Sequence, residues 1–204
     1  MAQCPVAVAG VLLAPGAGAG SDQPALVAID GAVAALGLPV ARMDFPYRLA
    51  GRRRPDPEGV LEAAVRDHAA ALASRVGTGT GSLVLGGRSM GGRICSQVVA
   101  AGLPAAGLVL VSYPLHPPGK PERLRTAHLP ALRVPCLFVA GTKDAFGSPA
   151  ELEAATEAIG APVTHVWVEG GDHGLRRRDA EVAAAVAAWL HDTFGIRARG
   201  DRRR

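Results

Sequence analysis

The stretch GGRSMGGR, residues 86–93, sets Ser89 between Gly87 and Gly91 and follows directly on the apolar run Leu83-Val84-Leu85. That run has the character of a buried strand. Beyond Met90, the residues Ile94, Val98 and Val99 fall at helical spacing, and Gly102 with Pro104 beyond it marks the place for that helix to stop. A serine on such a strand-to-helix turn is lifted clear of the backbone. The chain on either side then comes so close that side chains two positions away would collide, and Gly87 and Gly91 relieve the crowding. In a chain with 26 glycines the five-residue pattern alone is weak, and its setting between strand and helix gives it weight. The competing reading is a glycine-rich, anion-binding turn without chemistry.

Five more apolar runs surround this one: Val11 to Ala14, Val40 to Phe45, Leu108 to Ser112, Cys136 to Ala140 and Val163 to Val168. With Leu83 to Gly86 they alternate with longer segments of helical spacing, which is the pattern of βαβ units. The expectation is an α/β fold with a mostly parallel six-stranded sheet and helices on both faces. Several runs are apolar on consecutive residues, as strands covered on both sides must be. The last alternates more and reads as an edge. Among the helices, Ser148-Pro149-Ala150-Glu151 is a capping box with proline at the first helical position. Leu26, Ile29, Val33 and Leu36 form one apolar stripe, and Val182, Val186, Trp189 and Leu190 form another.

At 204 residues the chain suits one domain, read here as residues 1–196 followed by a basic, disordered tail at 197–204. The net charge of +4 belongs wholly to that tail, which holds five arginines against one aspartate. The neutral body removes the electrostatic case for nucleic-acid binding. Three cysteines cannot all pair within the chain, which fits a reducing, cytoplasmic setting. The opening residues imitate a secretion signal but lack Lys or Arg near the start, and no apolar run approaches the roughly 20 residues of a membrane span. No cluster has metal-ligand spacing, the isolated Asp172-His173 pair being too little. A dinucleotide site also fails. Counting from Gly16 or from Gly18, the third small residue of Gly-x-Gly-x-x-Gly falls on Ser21 or Gln23. No cofactor is expected.

A serine hydroxyl needs a base within hydrogen-bond reach to act as a nucleophile. Of the six histidines, His68 and His191 sit in helical patterns, His165 in a strand, His128 in a short helical segment and His116 in a proline-rich loop. His173 lies in EGGDHGL just after the last strand, where glycines let the backbone carry an imidazole over the sheet edge. A carboxylate should fix that imidazole's tautomer. Asp144, directly after the fifth strand, is preferred to Asp172, whose neighbouring position makes it hard for the side chain to turn back to Nδ1. Oxyanion donors are expected from the Met90 amide at the helix start and from APGAGAG after the first strand, with the Ala17 amide first and Gly16 next.

The order Ser89, Asp144, His173 resembles that of the α/β-hydrolase superfamily. Together with APGAGAGSDQP, DFPYRLAGRRRPDP, SYPLHPPGKPERLRTAHLP and LFVAGTKDAFGSP, it resembles the small dienelactone-hydrolase-like group related to testis-expressed and NSL-complex hydrolase-like proteins. The resemblance covers nearly the whole chain. It implies a minimal α/β-hydrolase fold without the early strands and cap domain of larger relatives, and a serine esterase cleaving a small acyl substrate through an acyl-enzyme. Two departures stand out. Dienelactone hydrolases proper use cysteine where this chain has Ser89, and their usual His-Gly is Pro15-Gly16 here. The NSL-complex relatives look like scaffold proteins, so a non-catalytic interaction module is the alternative function. Tyr47, Arg53, Tyr113 and His116 are candidates for substrate contact, whereas Arg88 and Arg93 beside the elbow are assigned to salt bridges. Oligomeric state is not legible.

Overall fold

The structure, a computed structural model, describes residues 7–197. The tail expected beyond Ile196 lies outside these residues except for Arg197, and Cys4 also falls outside them. Six strands form one sheet: β1 (Gly10–Ala14), β2 (Val40–Arg42), β3 (Leu83–Arg88), β4 (Gly107–Val111), β5 (Cys136–Gly141) and β6 (Val163–Val168). Their spatial order is β2-β1-β3-β4-β5-β6 and every pairing is parallel. The helices are α1 (Pro24–Ala35), the four-residue α2 (Pro46–Leu49), α3 (Glu58–Arg75), α4 (Met90–Ala100), α5 (Pro149–Thr156) and α6 (Asp179–Phe194).

Consecutive apolar residues in the strands serve two cores. Val11, Leu13, Val84, Val109, Leu137 and Val139 face α1 and α6, where Leu26, Ile29, Val33, Val182 and Val186 are buried. The intervening Leu12, Leu85, Leu110 and Phe138 face the opposite layer with Val65 and Leu72 of α3 and Ile94 and Val98 of α4. Side chains alternate across a strand, so a sheet sandwiched between helices needs an apolar residue at each position. β6 and β2 are the edges, and β6 keeps most of its residues partly exposed.

The second strand is shorter than Val40 to Phe45. The ladder ends at Arg42, the Met43 N–H donates to Leu13, and Asp44 turns its carboxylate to the Ser21 amide and hydroxyl, both at 2.7 Å. Pro46 then fixes the first turn of α2 and carries Phe45 and Tyr47 into the core. The capping box forms as read: the Ser148 side chain accepts from the Glu151 amide, and Glu151 accepts from the Ser148 amide at 2.8 Å. Cys95 and Cys136 are buried thiols whose pKa values burial pushes up to about 12. Among the described residues no helix is long and apolar enough to cross a membrane.

Because β2 lies on one side of β1 and β3 on the other, the direction in which successive strands join the sheet reverses between β1 and β3. Their carboxyl ends open a crevice there. The crevice is tight at its floor. A Cβ at Gly87 would stand 2.0 Å from the Ala14 carbonyl oxygen, one at Gly91 2.3 Å from the same atom, and one at Gly86 2.1 Å from that of Val109. Gly91→Ala should therefore cost roughly 3 kcal/mol of stability through overpacking against backbone. Urea unfolding checks this, with Gly59→Ala as the comparison: a Cβ there meets nothing within 4 Å, and that variant should be neutral or slightly stabilising.

Candidate active site

Ser89 caps the start of α4 with φ 50° and ψ −117°, a conformation non-glycine residues rarely hold. It is fixed from both sides: its N–H donates to Val111 at 2.8 Å, and its carbonyl accepts from Arg93 at 3.1 Å. The hydroxyl thereby leaves the sheet edge and lies 2.9 Å from His173 Nε2.

His173 comes from the loop after β6, which nests against the end of β5. The Thr142 amide donates to Val168 and the Lys143 amide to Gly171, and a Cβ at Gly141 would strike the Gly171 oxygen at 2.1 Å. This close fit brings Asp144 to the imidazole, with Nδ1 at 2.9 and 3.0 Å from its two carboxylate oxygens. The Phe146 amide donates to the same carboxylate at 2.8 Å, and the carboxylate side chain is only 1% exposed. Since an ionised carboxylate only accepts, Nδ1 carries the proton and Nε2 is left to accept from the Ser89 hydroxyl. The Phe146 ring stacks on the imidazole with centroids 3.9 Å apart, which limits its rotation. Asp172, the rival carboxylate, caps its own turn by accepting from the Leu175 amide at 3.0 Å.

The expected oxyanion donors separate into two kinds. Among the described residues, the Met90 and Ala17 amides donate to no protein acceptor, and both residues line the cavity that contains Ser89. Gly16 differs, because its amide is taken by Gln23 Oε1 at 3.1 Å, so its role is to shape the loop. The loop is further tied by the Gly18 amide, which donates to the Tyr47 hydroxyl at 3.1 Å.

That cavity is about 500 Å³ and open to solvent. None of the four residues read as possible substrate contacts lines it. Tyr47 is buried beneath the first loop, and Arg53 belongs to an exposed turn with its neighbours Arg52 and Arg54. Tyr113 is buried and donates to the Arg125 carbonyl at 2.7 Å. His116 is buried 3.6 Å from Glu151. Arg93 pairs with Glu58 at 3.2 Å, the salt bridge assigned to it. Arg88 instead reaches over the elbow and donates to the His173 carbonyl at 2.6 Å. Burial lowers its pKa, against the opposing pull of Asp144, Asp172 and Asp179.

Sequence reasoning missed Phe146, Arg88 as a tether of the histidine loop, and Arg125 in the cavity wall. Phe146 lies within LFVAGTKDAFGSP, two residues after the carboxylate, where an aromatic partner for the imidazole could have been sought. Arg125 carried no such signal, since only tertiary folding brings the segment after β4 across α4. No group of three or more metal-binding side chains stands together among the described residues.

With this geometry in place, residues 7–192 match the family described as an alpha/beta hydrolase domain. Among solved structures the chain is similar to an alpha-beta serine hydrolase homologue from Coxiella burnetii, with TM-score 0.74 and 18% identity, covering 91% of this chain and 86% of that one. It is also similar to an α/β serine hydrolase without a lid from Xanthomonas campestris, with TM-score 0.68 and 19% identity, covering 92% and 84%. A dienelactone hydrolase from Anabaena variabilis gives TM-score 0.69 and 20% identity, covering 95% and 88%. At these identities the likeness is one of fold.

One histidine beside the site titrates abnormally. His128 Nε2 lies 2.8 Å from Ser96 Oγ, which donates to the Arg93 carbonyl at 2.7 Å, so Nε2 carries the proton and donates to the serine. Burial, with Arg93 nearby, pushes its pKa down to about 4 from 6.5. The folded state thus keeps His128 neutral while the unfolded chain protonates below about pH 6.5. Stability should fall as the pH drops through the window from 6.5 to 4, and His128→Gln should flatten that slope in urea unfolding followed across the same range.

Proposed function

The chain belongs to the alpha/beta hydrolase family, and from that premise we propose that it is a serine hydrolase of a carboxylic ester or related small acyl compound. Ser89 Oγ attacks the acyl carbonyl carbon while His173 Nε2 takes its proton. Asp144 keeps the imidazole in the Nδ1–H tautomer and stabilises the imidazolium that forms. The carbonyl oxygen gains negative charge as the tetrahedral intermediate forms, and the Met90 and Ala17 amides are the donors available to it, each worth about 3 kcal/mol in related chemistry. Collapse of the intermediate breaks the bond to the leaving alcohol, which receives the proton from Nε2. Water, deprotonated by the same nitrogen, then attacks the acyl-enzyme, and as the second tetrahedral intermediate collapses the bond to Ser89 Oγ breaks and Nε2 returns the proton to it, releasing the acid.

The observation that supports this reading most is the unbroken hydrogen-bond path from Ser89 Oγ through His173 to a buried Asp144, at the wall of a cavity where two amides have no acceptor among the described residues. A structural serine would need neither the strained φ nor the oriented imidazole.

Labelling by a fluorophosphonate probe should be robust in the wild-type chain and absent in Ser89→Ala with the fold retained by circular dichroism. Labelling that persists in Ser89→Ala would overturn the assignment. A wild-type chain that neither labels nor hydrolyses short p-nitrophenyl esters would favour a non-catalytic interaction module. Asp144→Asn should keep the geometry yet lose about four orders of magnitude in kcat, because the amide favours the wrong imidazole tautomer; steady-state ester hydrolysis reads that loss.

A further inference from the structure

Most arginines near the site are spoken for. Arg52 holds Asp56 at 2.6 Å, and Arg93 holds Glu58 at 3.2 Å. Two arginines in the cavity wall, Arg88 and Arg125, have no carboxylate within 4.0 Å among the described residues. Arg88 is engaged by the His173 carbonyl and lies in the field of Asp144, Asp172 and Asp179.

Arg125 differs in each respect. Among the described residues its side chain makes a single hydrogen bond, from Nη1 to the Pro114 carbonyl at 3.3 Å, leaving most of its five donors unspent. The charged neighbours that act on it are the cations Arg93 and Arg123 and the carboxylate Glu58, which Arg93 and Gln97 already occupy. Its backbone, by contrast, is firmly held: the amide donates to Leu115 at 2.8 Å, and the carbonyl accepts from Tyr113, whose ring packs edge-on against Phe138. Burial followed by the Arg93 cation lowers its pKa, so the guanidinium carries its charge at a cost that a bound anion would remove. A cation fixed by its backbone, partly stripped of water and with no carboxylate in contact, in the same cavity wall as a nucleophile, is a binding group awaiting its ligand.

Resting on the serine-hydrolase reading above, we propose that Arg125 receives a carboxylate of the substrate, so that the ester cleaved at Ser89 bears a free acid elsewhere in its acyl or alcohol portion. One unmatched cation suits one negative charge, and Glu58 would oppose a second. The planar fork of the guanidinium matches the two oxygens of a carboxylate.

The test compares kcat/KM for matched esters at low salt. Mono-p-nitrophenyl adipate against p-nitrophenyl hexanoate puts the charge on the acyl side, and p-carboxyphenyl hexanoate against p-carbamoylphenyl hexanoate puts it on the alcohol side. The wild-type chain should prefer the anionic member of at least one pair by about tenfold or more, and Arg125→Gln should collapse that ratio while Arg125→Lys keeps part of it. The same preference is read without turnover by titrating monomethyl adipate and methyl hexanoate into the full-length Ser89→Ala protein, with and without Arg125→Gln. No preference for the anion in either format overturns the proposal. So does a ratio unaltered by Arg125→Gln in a protein with the parent's unfolding midpoint, and if that variant does not fold, the Arg125→Lys ratio decides. A wild-type chain inert to esters and to the fluorophosphonate would fell the serine-hydrolase reading instead, and the titration would still decide the role of Arg125.

Discussion

The packing of the backbone at Gly87 and Gly91 onto the carbonyl of Ala14 is the constraint from which the site follows. Gly87 and Gly91 both stand where any side chain would lie within 2.3 Å of that oxygen, so β3 can descend onto β1 and turn into α4 within one residue. Ser89 absorbs the bend in its positive φ. Local strain of this kind persists only when the surroundings over-determine it. Here they do, through Val111 on one side and Arg93 on the other. The same approach sets the first loop against the elbow, since a Cβ at Gly16 would lie 3.7 Å from that of Ser89.

Around this contact the protein arranges polar groups whose work is to hold loops. Asp44 fastens Ser21, Tyr47 fastens Gly18 and Gln23 fastens Gly16, so three side chains fix the conformation of Pro15 to Ser21 and leave the Ala17 amide with no acceptor among the described residues. At the other side Phe146 and Asp144 fix the imidazole ring, and Arg88 fixes its backbone. A preorganised site needs such support, because donors that must reorganise during reaction lose their electrostatic advantage.

The sheet, its edge at β6 and the three residues brought together at Ser89 were legible because each left a local mark: apolar runs of strand length, glycines at fixed offsets from the serine, and a carboxylate and a histidine directly after strands. What was not legible depended on distance. Val40 to Phe45 reads as one apolar strand, yet it breaks at Arg42 because Asp44 has a partner more than twenty residues back in the chain. Tyr47 and Tyr113 looked like pocket aromatics, and both turned out to be buried props whose hydroxyls serve backbone groups. Arg88 was read as a salt-bridge partner because its neighbour in space, the carbonyl of His173, is 85 residues away. Composition and spacing report which faces are apolar. They carry little about which polar group meets which.

The tether between Arg88 and the His173 carbonyl also has a mechanical meaning. Arg88 is joined by a peptide bond to the residue that carries the hydroxyl, and its other end grips the backbone of the residue that carries the imidazole. The two are therefore slung from one short bracket. The imidazole's backbone is thus anchored directly to the tip of β3 as well as through β6, and the separation of hydroxyl and imidazole does not depend on the intervening strands alone.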